Sequence, residues 1–141
     1  SSEIRWIPTG LKPDLTNQLW SFAHTANRNA FGFDISYLND IQYTTYYADD
    51  NGKYDWHHDT FWGNPTSFDR KISIVIQLSD PQDYEGGDFE IDPQYQALPA
   101  EEIRAKGTVI AFPSFIRHRV TPVTKGVRRS LVCWVEGPKF R

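Results

Sequence analysis

The stretch IQYTTYYADDNGKYDWHHD, residues 41–59, decides the fold of this chain. Its first seven residues, IQYTTYY, mix β-branched and aromatic side chains as a half-buried strand does. ADDNG then supplies the Asp, Asn and Gly that a chain reversal needs, and a second strand is expected over 53–59. A strand sends successive side chains to opposite faces, so His57 and Asp59 share one face while His58 takes the other.

The same texture continues to the end of the chain. Strands are expected at 70–79 (RKISIVIQLS), 88–91, 107–112 (GTVIAF), 117–122 and 127–135 (VRRSLVCWV), separated by the turns WGNPTS, DPQDYEGG and TPVTKG. Residues 92–106 read as a longer polar loop with room for a helical turn or a short strand. Upstream, residues 14–29 carry the helical period, with Leu15, Leu19, Phe22 and Ala26 on one stripe, Asp14 after Pro13 as the N-cap, and Gly32 as the stop. One helix followed by seven or eight short strands, without alternating helices, predicts a mainly β fold: an antiparallel sandwich or barrel, with a jelly roll fitting the count. The chain is expected to form one domain over 1–141, with 1–40 as helical support and 41–141 as the core.

Composition narrows the function classes. A net charge of −3 leaves no polyanion-binding footprint, so nucleic acid is not the expected partner. The basic group Arg117, Arg119, Lys125, Arg128 and Arg129 reads most simply as a solvated strand face. Cys133 is the only cysteine, which excludes an internal disulfide and a thiolate zinc cluster and suits a reducing, cytoplasmic setting. No apolar run reaches the ~20 residues of a membrane span, so no membrane partner is expected. The chain contains no Met, which fits a processed or trimmed product.

An imidazole and a carboxylate on one strand face suit Fe(II), Mn(II) or Zn(II), but two ligands hold such an ion poorly. His24 and His118 remain as third donors. His24 lies in the amphipathic helix and reads as a surface or packing residue; His118, in FPSFIRHRVTP, sits where a strand can aim it inward. His57, Asp59 and His118 would form a two-histidine, one-carboxylate set, which serves non-haem iron oxygenases and also catalytic zinc. Ten residues further on, Arg128, Ser130, Val132 and Trp134 share one face, and Arg129, Leu131, Cys133 and Val135 the other. An inward Arg128 needs an anion. A dicarboxylate bound to the metal at one end and to Arg128 and Ser130 at the other meets that need; an internal Asp or Glu, or solvent, is the plainer alternative.

HHD, YEGGDFEI, FPSFIRHRVTPVTKGVRRS and WVEGPKFR closely resemble the prolyl 4-hydroxylase-like Fe(II)/2-oxoglutarate dioxygenases, in particular the compact bacterial and phage-type ones. The resemblance covers roughly residues 41–141, and residues 1–40 match less well. It implies a double-stranded β-helix, iron on His57, Asp59 and His118, and 2-oxoglutarate on Arg128 and Ser130, with O2 as the second co-substrate and ascorbate as a reductant. It also implies that Tyr47 contacts the co-substrate and that Trp134 stands beside the metal. The implied reaction couples decarboxylation of 2-oxoglutarate to succinate and CO2 with hydroxylation of a C–H bond. Asp59 separates the chain from halogenase relatives, which replace this carboxylate with a small residue. A prolyl residue in a peptide or protein is the first substrate expectation, and a free amino acid or other small molecule the second. A non-catalytic metal-binding jelly roll is the reading of a different class. Tyr54, Trp56, Phe61 and Trp62 either wall the site or pack the core, and the acidic loops 49–51 and 80–88 would favour a basic substrate if they border the mouth.

Overall fold

A computed structural model describes residues 2–8, 10–95 and 98–140 of the chain. In chain order the elements are β1 (Glu3–Ile7), α1 (Pro13–Ala26), β2 (Tyr37–Leu38), β3 (Ile41–Tyr47), β4 (Tyr54–His57), β5 (Phe68–Gln77), β6 (Tyr84–Gly86), β7 (Phe89–Ile91), α2 (Ala100–Arg104), β8 (Val109–Pro113), β9 (His118–Val120) and β10 (Val123–Pro138). The strands form two antiparallel sheets. The larger runs β1-β3-β10-β5-β8, with β2 and β6 also pairing with β10; the smaller runs β4-β9-β7.

Strand alternation divides the interior into two cores. On β5, Ile72 and Ile74 face α1, where they meet Leu19, Ala23, Ile41, Leu131, Cys133 and Val135. Their neighbour Val75 faces between the sheets, with Tyr46, Tyr84, Phe89, Ile110, Phe112, Val120 and Val123. The expected alternation of 127–135 is therefore realised, on a strand that is longer than the sequence suggested at 16 residues.

Several elements differ from expectation. The helix starts at Pro13 with Lys12 at the N-cap position and no side-chain cap, so Asp14 lies in the first turn instead. Proline at the first position has no N–H to leave unsatisfied, and the Asp14 carboxylate faces the positive end of the helix dipole. A π-helical turn, Asn27–Phe31, follows α1, and Gly32 ends it in the left-handed conformation at φ 66°. The buried stripe runs through Leu19 and Ala23 rather than Phe22, which is exposed. β4 stops at His57, two residues short of the expected end, and β1, β2 and β6 had no clear signal.

One irregularity matters for the site. Between β10 and β5 the register runs Val135 to Ile72 and then Glu136 to Arg70, skipping Lys71. Such a slip reverses which face the following side chains take.

Candidate functional site

His57 closes β4 and His118 opens β9, and the two residues pair directly across the smaller sheet. Asp59 follows β4 in a bend fixed by its own N–H, which donates to the Ser114 carbonyl at 2.8 Å. One donor atom from each of the three residues lies within 4.8 Å of the others. His57 Nε2 is 3.4 Å from Asp59 Oδ1, and His118 Nε2 is 3.5 Å from Asp59 Oδ2. Both imidazoles are oriented from behind: His57 Nδ1 meets the Asp55 carbonyl at 2.7 Å, and His118 Nδ1 meets the Ile116 carbonyl at 2.9 Å. A carbonyl can only accept, so each Nδ1 carries the proton and each Nε2 turns its lone pair to the centre. Tyr54 stacks on His57 at 3.8 Å, and Phe112 packs its ring against His118 at 4.7 Å.

The electrostatics match this geometry. Burial alone would raise the Asp59 carboxyl, but the neighbouring His57 and His118, whenever protonated, and the bonds from Ser73 and Trp134 outweigh it and bring it down to about 2. Ser73 Oγ donates to Asp59 Oδ2 at 2.6 Å and Trp134 Nε1 donates to the same oxygen at 2.9 Å, which leaves Oδ1 without such a donor. Burial lowers the His118 pKa against the pull of Asp59, so its imidazole is neutral at pH 7. The Nε2 atoms of two imidazoles and an ionised carboxylate converge, and a divalent cation at that point would be held by all three. The residues therefore fit an Fe(II) of the two-histidine, one-carboxylate type.

These side chains open onto a cavity of about 280 Å³ that runs along β10 to Arg128. Arg128 is 1% exposed; its Nη2 donates to Gln77 Oε1 at 3.0 Å, and its Nε has no partner. Tyr84 Oη, also buried, is likewise without a partner. Burial lowers the Arg128 pKa while Tyr46 and Tyr84 raise it, and the guanidinium stays protonated. Gly87, at φ 59°, makes room for it, since a Cβ there would lie 3.0 Å from Arg128 Cδ. A buried cation with an open donor at the end of a small cavity fits the far carboxylate of 2-oxoglutarate.

Of the residues expected from sequence, His57, Asp59, His118, Arg128, Ser130, Trp134, Tyr54 and Phe61 all line this cavity. Tyr47 does not: Tyr46 pairs with Arg128 across β3 and β10 and faces inward, while Tyr47 turns out to reach Glu3 Oε2 at 3.4 Å. Trp56 is on the other face of β4 from His57, between Arg117 and Arg119, and Trp62 packs on Phe140. His58 lies past the end of β4, where alternation no longer applies, and it also borders the cavity. The acidic loops 49–51 and 80–88 contribute no lining residue. Trp6, Gln42, Tyr46 and Arg70 do line it and were not anticipated. Tyr46 was within reach of the sequence, because Gln42, Thr44 and Tyr46 form one face of the alternating stretch.

Comparison with known proteins agrees with the geometry. A PKHD-type hydroxylase of Teredinibacter turnerae is 40% identical over 73 residues, which are 52% of this chain and 31% of that protein. Another, from Synechococcus sp. (strain CC9311), is 36% identical over 85 residues, covering 60% and 37%. The matched part thus spans about a third of the length of these curated relatives. Among solved structures, a Pseudomonas putida prolyl-4-hydroxylase superposes with TM-score 0.73 at 19% identity, covering 99% of this chain and 73% of that one. The viral collagen prolyl hydroxylase of Paramecium Bursaria Chlorella virus-1, solved as its 2OG complex, gives TM-score 0.75 at 17% identity over 98% and 80%. At these identities the likeness speaks for the fold, a prolyl 4-hydroxylase-like double-stranded β-helix. Residues 41–136, which contain the three converging donors and Arg128, match the 2OG-Fe(II) oxygenase superfamily, and the chain belongs to that family.

Proposed function

We propose that this chain is an Fe(II)- and 2-oxoglutarate-dependent hydroxylase whose first substrate class is a prolyl residue in a peptide. His57, Asp59 and His118 would hold the iron, and Arg128 with Ser130 would hold the far carboxylate of 2-oxoglutarate. The observation that carries this reading is the sharing of one cavity by the three converging donors and a buried Arg128 with an unpaired Nε. When bound, Fe(II) with 2-oxoglutarate and O2 supplies the oxidising power to hydroxylate a C–H bond, with release of succinate and CO2.

The chain's own residues supply position and shelter. The carbonyls of Asp55 and Ile116 keep both imidazoles in the metal-binding tautomer. Ser73 and Trp134 keep Asp59 ionised and hold its orientation through Oδ2, so Oδ1 stays directed at His57. Arg128 fixes the register of the co-substrate through charge-assisted bonds, braced by Gln77. Phe89, Val75, Val120 and Val132 line the space between, excluding water from the reacting end. The likeness to prolyl hydroxylases supports the peptide substrate.

The test is Fe(II)- and O2-dependent conversion of 2-oxoglutarate to succinate by the purified protein, with proline-containing peptides offered as substrates. His118→Ala is expected to reduce turnover at least 100-fold, with iron binding reduced in parallel, whereas His24→Ala on the exposed face of α1 retains it. Silence of the wild-type protein both with and without peptides would sink this reading in favour of a non-catalytic metal-binding module.

A further inference from the structure

Two strand edges flank the mouth of the cavity, one from each sheet. β1 ends the larger sheet and β4 ends the smaller, and among the described residues β1 pairs with β3 alone and β4 with β9 alone. Trp6 of β1 and Tyr54 and His57 of β4 line the cavity. A groove of about 420 Å³ between Ser2 and residues 53–57 shares Tyr54 and His57 with it, so the opening continues along β1 toward its start. The free edge of a strand presents a row of main-chain donors and acceptors, which soluble proteins ordinarily blunt with Pro, Lys, a bulge or a covering element. β1, EIRWI, has neither Pro nor Lys, and its register with β3 runs from Glu3 opposite Thr45 to Ile7 opposite Ile41 without a bulge.

The two charges of β1 answer each other, Arg5 Nε lying 3.2 Å from Glu3 Oε1. They share the α1-facing side of the sheet with Ile7, which packs into the core there. Ile4 and Trp6 take the other side, opposite Thr44 and Gln42, and Gln42 lines the cavity as Trp6 does. At 43% and 54% exposed, they leave the cavity side of this edge apolar and open to solvent. Continuity with the cavity decides what fits there. A strand added to β1 lies about 4.8 Å beyond it and turns every second side chain toward the cavity side. Trp6, 6.1 Å from the Trp134 ring whose N–H meets Asp59, ties that row to the candidate metal centre. In strand addition the main chain supplies the affinity, and pockets read single side chains. A free amino acid is too short to use the edge. A prolyl residue fits an added strand at the positions whose N–H would turn away from β1.

We propose that the free edge of β1 receives the substrate polypeptide as an added strand, which carries the residue to be hydroxylated into the opening between β1 and β4. This rests on the hydroxylase reading and supplies its mode of peptide recognition. The probe is a capped nine-residue peptide of alternating Thr and Ala with one central Pro. It is added to the whole chain loaded with 2-oxoglutarate and with Zn(II) as a diamagnetic occupant of the iron site. Amide exchange followed by NMR is expected to slow at least 10-fold at alternate residues of 3–7 when the peptide saturates. N-methylation of alternate amides divides the peptide by phase. In the phase of the Pro nitrogen it leaves affinity within about threefold; in the other phase it weakens binding at least 10-fold. Binding without protection in β1, equal losses in both phases, or no binding of the parent peptide overturns the proposal. So does protection of β1 already present without peptide in a species that sediments as a dimer, since a second copy then holds the edge. Strand addition is read without turnover, so failure of the hydroxylase reading shows separately, as absence of succinate in the assay above.

Discussion

Along β10, Arg128, Ser130, Val132 and Trp134 face the cavity, while Leu131, Cys133 and Val135 face α1 in the dry core. The inward side holds a buried guanidinium with one unpaired N–H, a cost that an apolar residue of similar volume would not incur. Leu131, Cys133 and Val135 are close-packed, between 0% and 9% exposed, and bring no charge to satisfy. A single pleated strand thus separates the two demands at a spacing of one residue. The α1-facing core stabilises the sheet against the polar cavity that function requires.

That separation can be broken most sharply with adjacent residues. Arg128→Ala is expected to raise the Kd for 2-oxoglutarate at least 100-fold, since charge-assisted contacts to a buried cation are worth ~2–5 kcal/mol. Leu131→Ala should do the reverse. It should lower unfolding free energy by ~2–5 kcal/mol through lost burial and a cavity, with the Kd for 2-oxoglutarate within twofold of wild type. Calorimetric titration and denaturant unfolding on both proteins check the pair. If Leu131→Ala weakens co-substrate binding as much as Arg128→Ala does, the two faces are coupled and the comparison fails.

A smaller effect sharpens the inward side. Ser73→Ala removes the 2.6 Å bond to Asp59 Oδ2 but leaves the Trp134 donor in place. Partners behind a metal ligand typically contribute 10- to 100-fold in affinity, so a loss at about the lower end is expected on titration with Mn(II) or Fe(II). The stability loss should stay near ~1 kcal/mol, the net worth of one hydrogen bond. A variant that binds metal as tightly as wild type would show that Trp134 alone orients the carboxylate.

Side-chain direction is legible in the sequence wherever the strand period runs unbroken. The faces of β10 follow from alternation, and they lead to Arg128 and Trp134 beside the cavity. His118 was reachable because few donors were available and the stretch around it alternates. Failures cluster where the period is interrupted. β4 ends at His57, so His58 does not take the opposite face; Trp56, still on the strand, obeys alternation and points away from the site. The family resemblance points to Tyr47, but the cross-strand pairing of Tyr46 with Arg128 turns Tyr46 inward. Arg70 enters the cavity through a register slip between β5 and β10, a property of two strands together that neither shows alone. Ser73 is one small polar residue in an apolar run, and only the fold brings it to Asp59.

The outward face of β10 also carries the gentlest test of the comparison. Burial pushes the Cys133 thiol from its ordinary 9.0 up to about 12. Between those values an unfolded thiol has lost its proton while the folded one keeps it, so the unfolded state binds fewer protons and stability falls as pH rises. The contribution is fully present below pH 9 and is lost progressively toward about 12, with a slope of up to ~1.4 kcal/mol per pH unit. Tyr46, on the inward face, titrates over an overlapping range, raised by burial to about 12 against the opposing charge of Arg128. It remains in both proteins when wild type is compared with Cys133→Ala, so its contribution cancels in the difference. Cys133→Ala should therefore be less stable than wild type by ~1 kcal/mol near neutral pH, through lost packing. That gap should narrow as pH climbs above 9, in denaturant midpoints taken at several alkaline values. A gap constant with pH would mean that the thiol reaches solvent on the folded side, and that the face of β10 toward α1 is less dry than its packing implies.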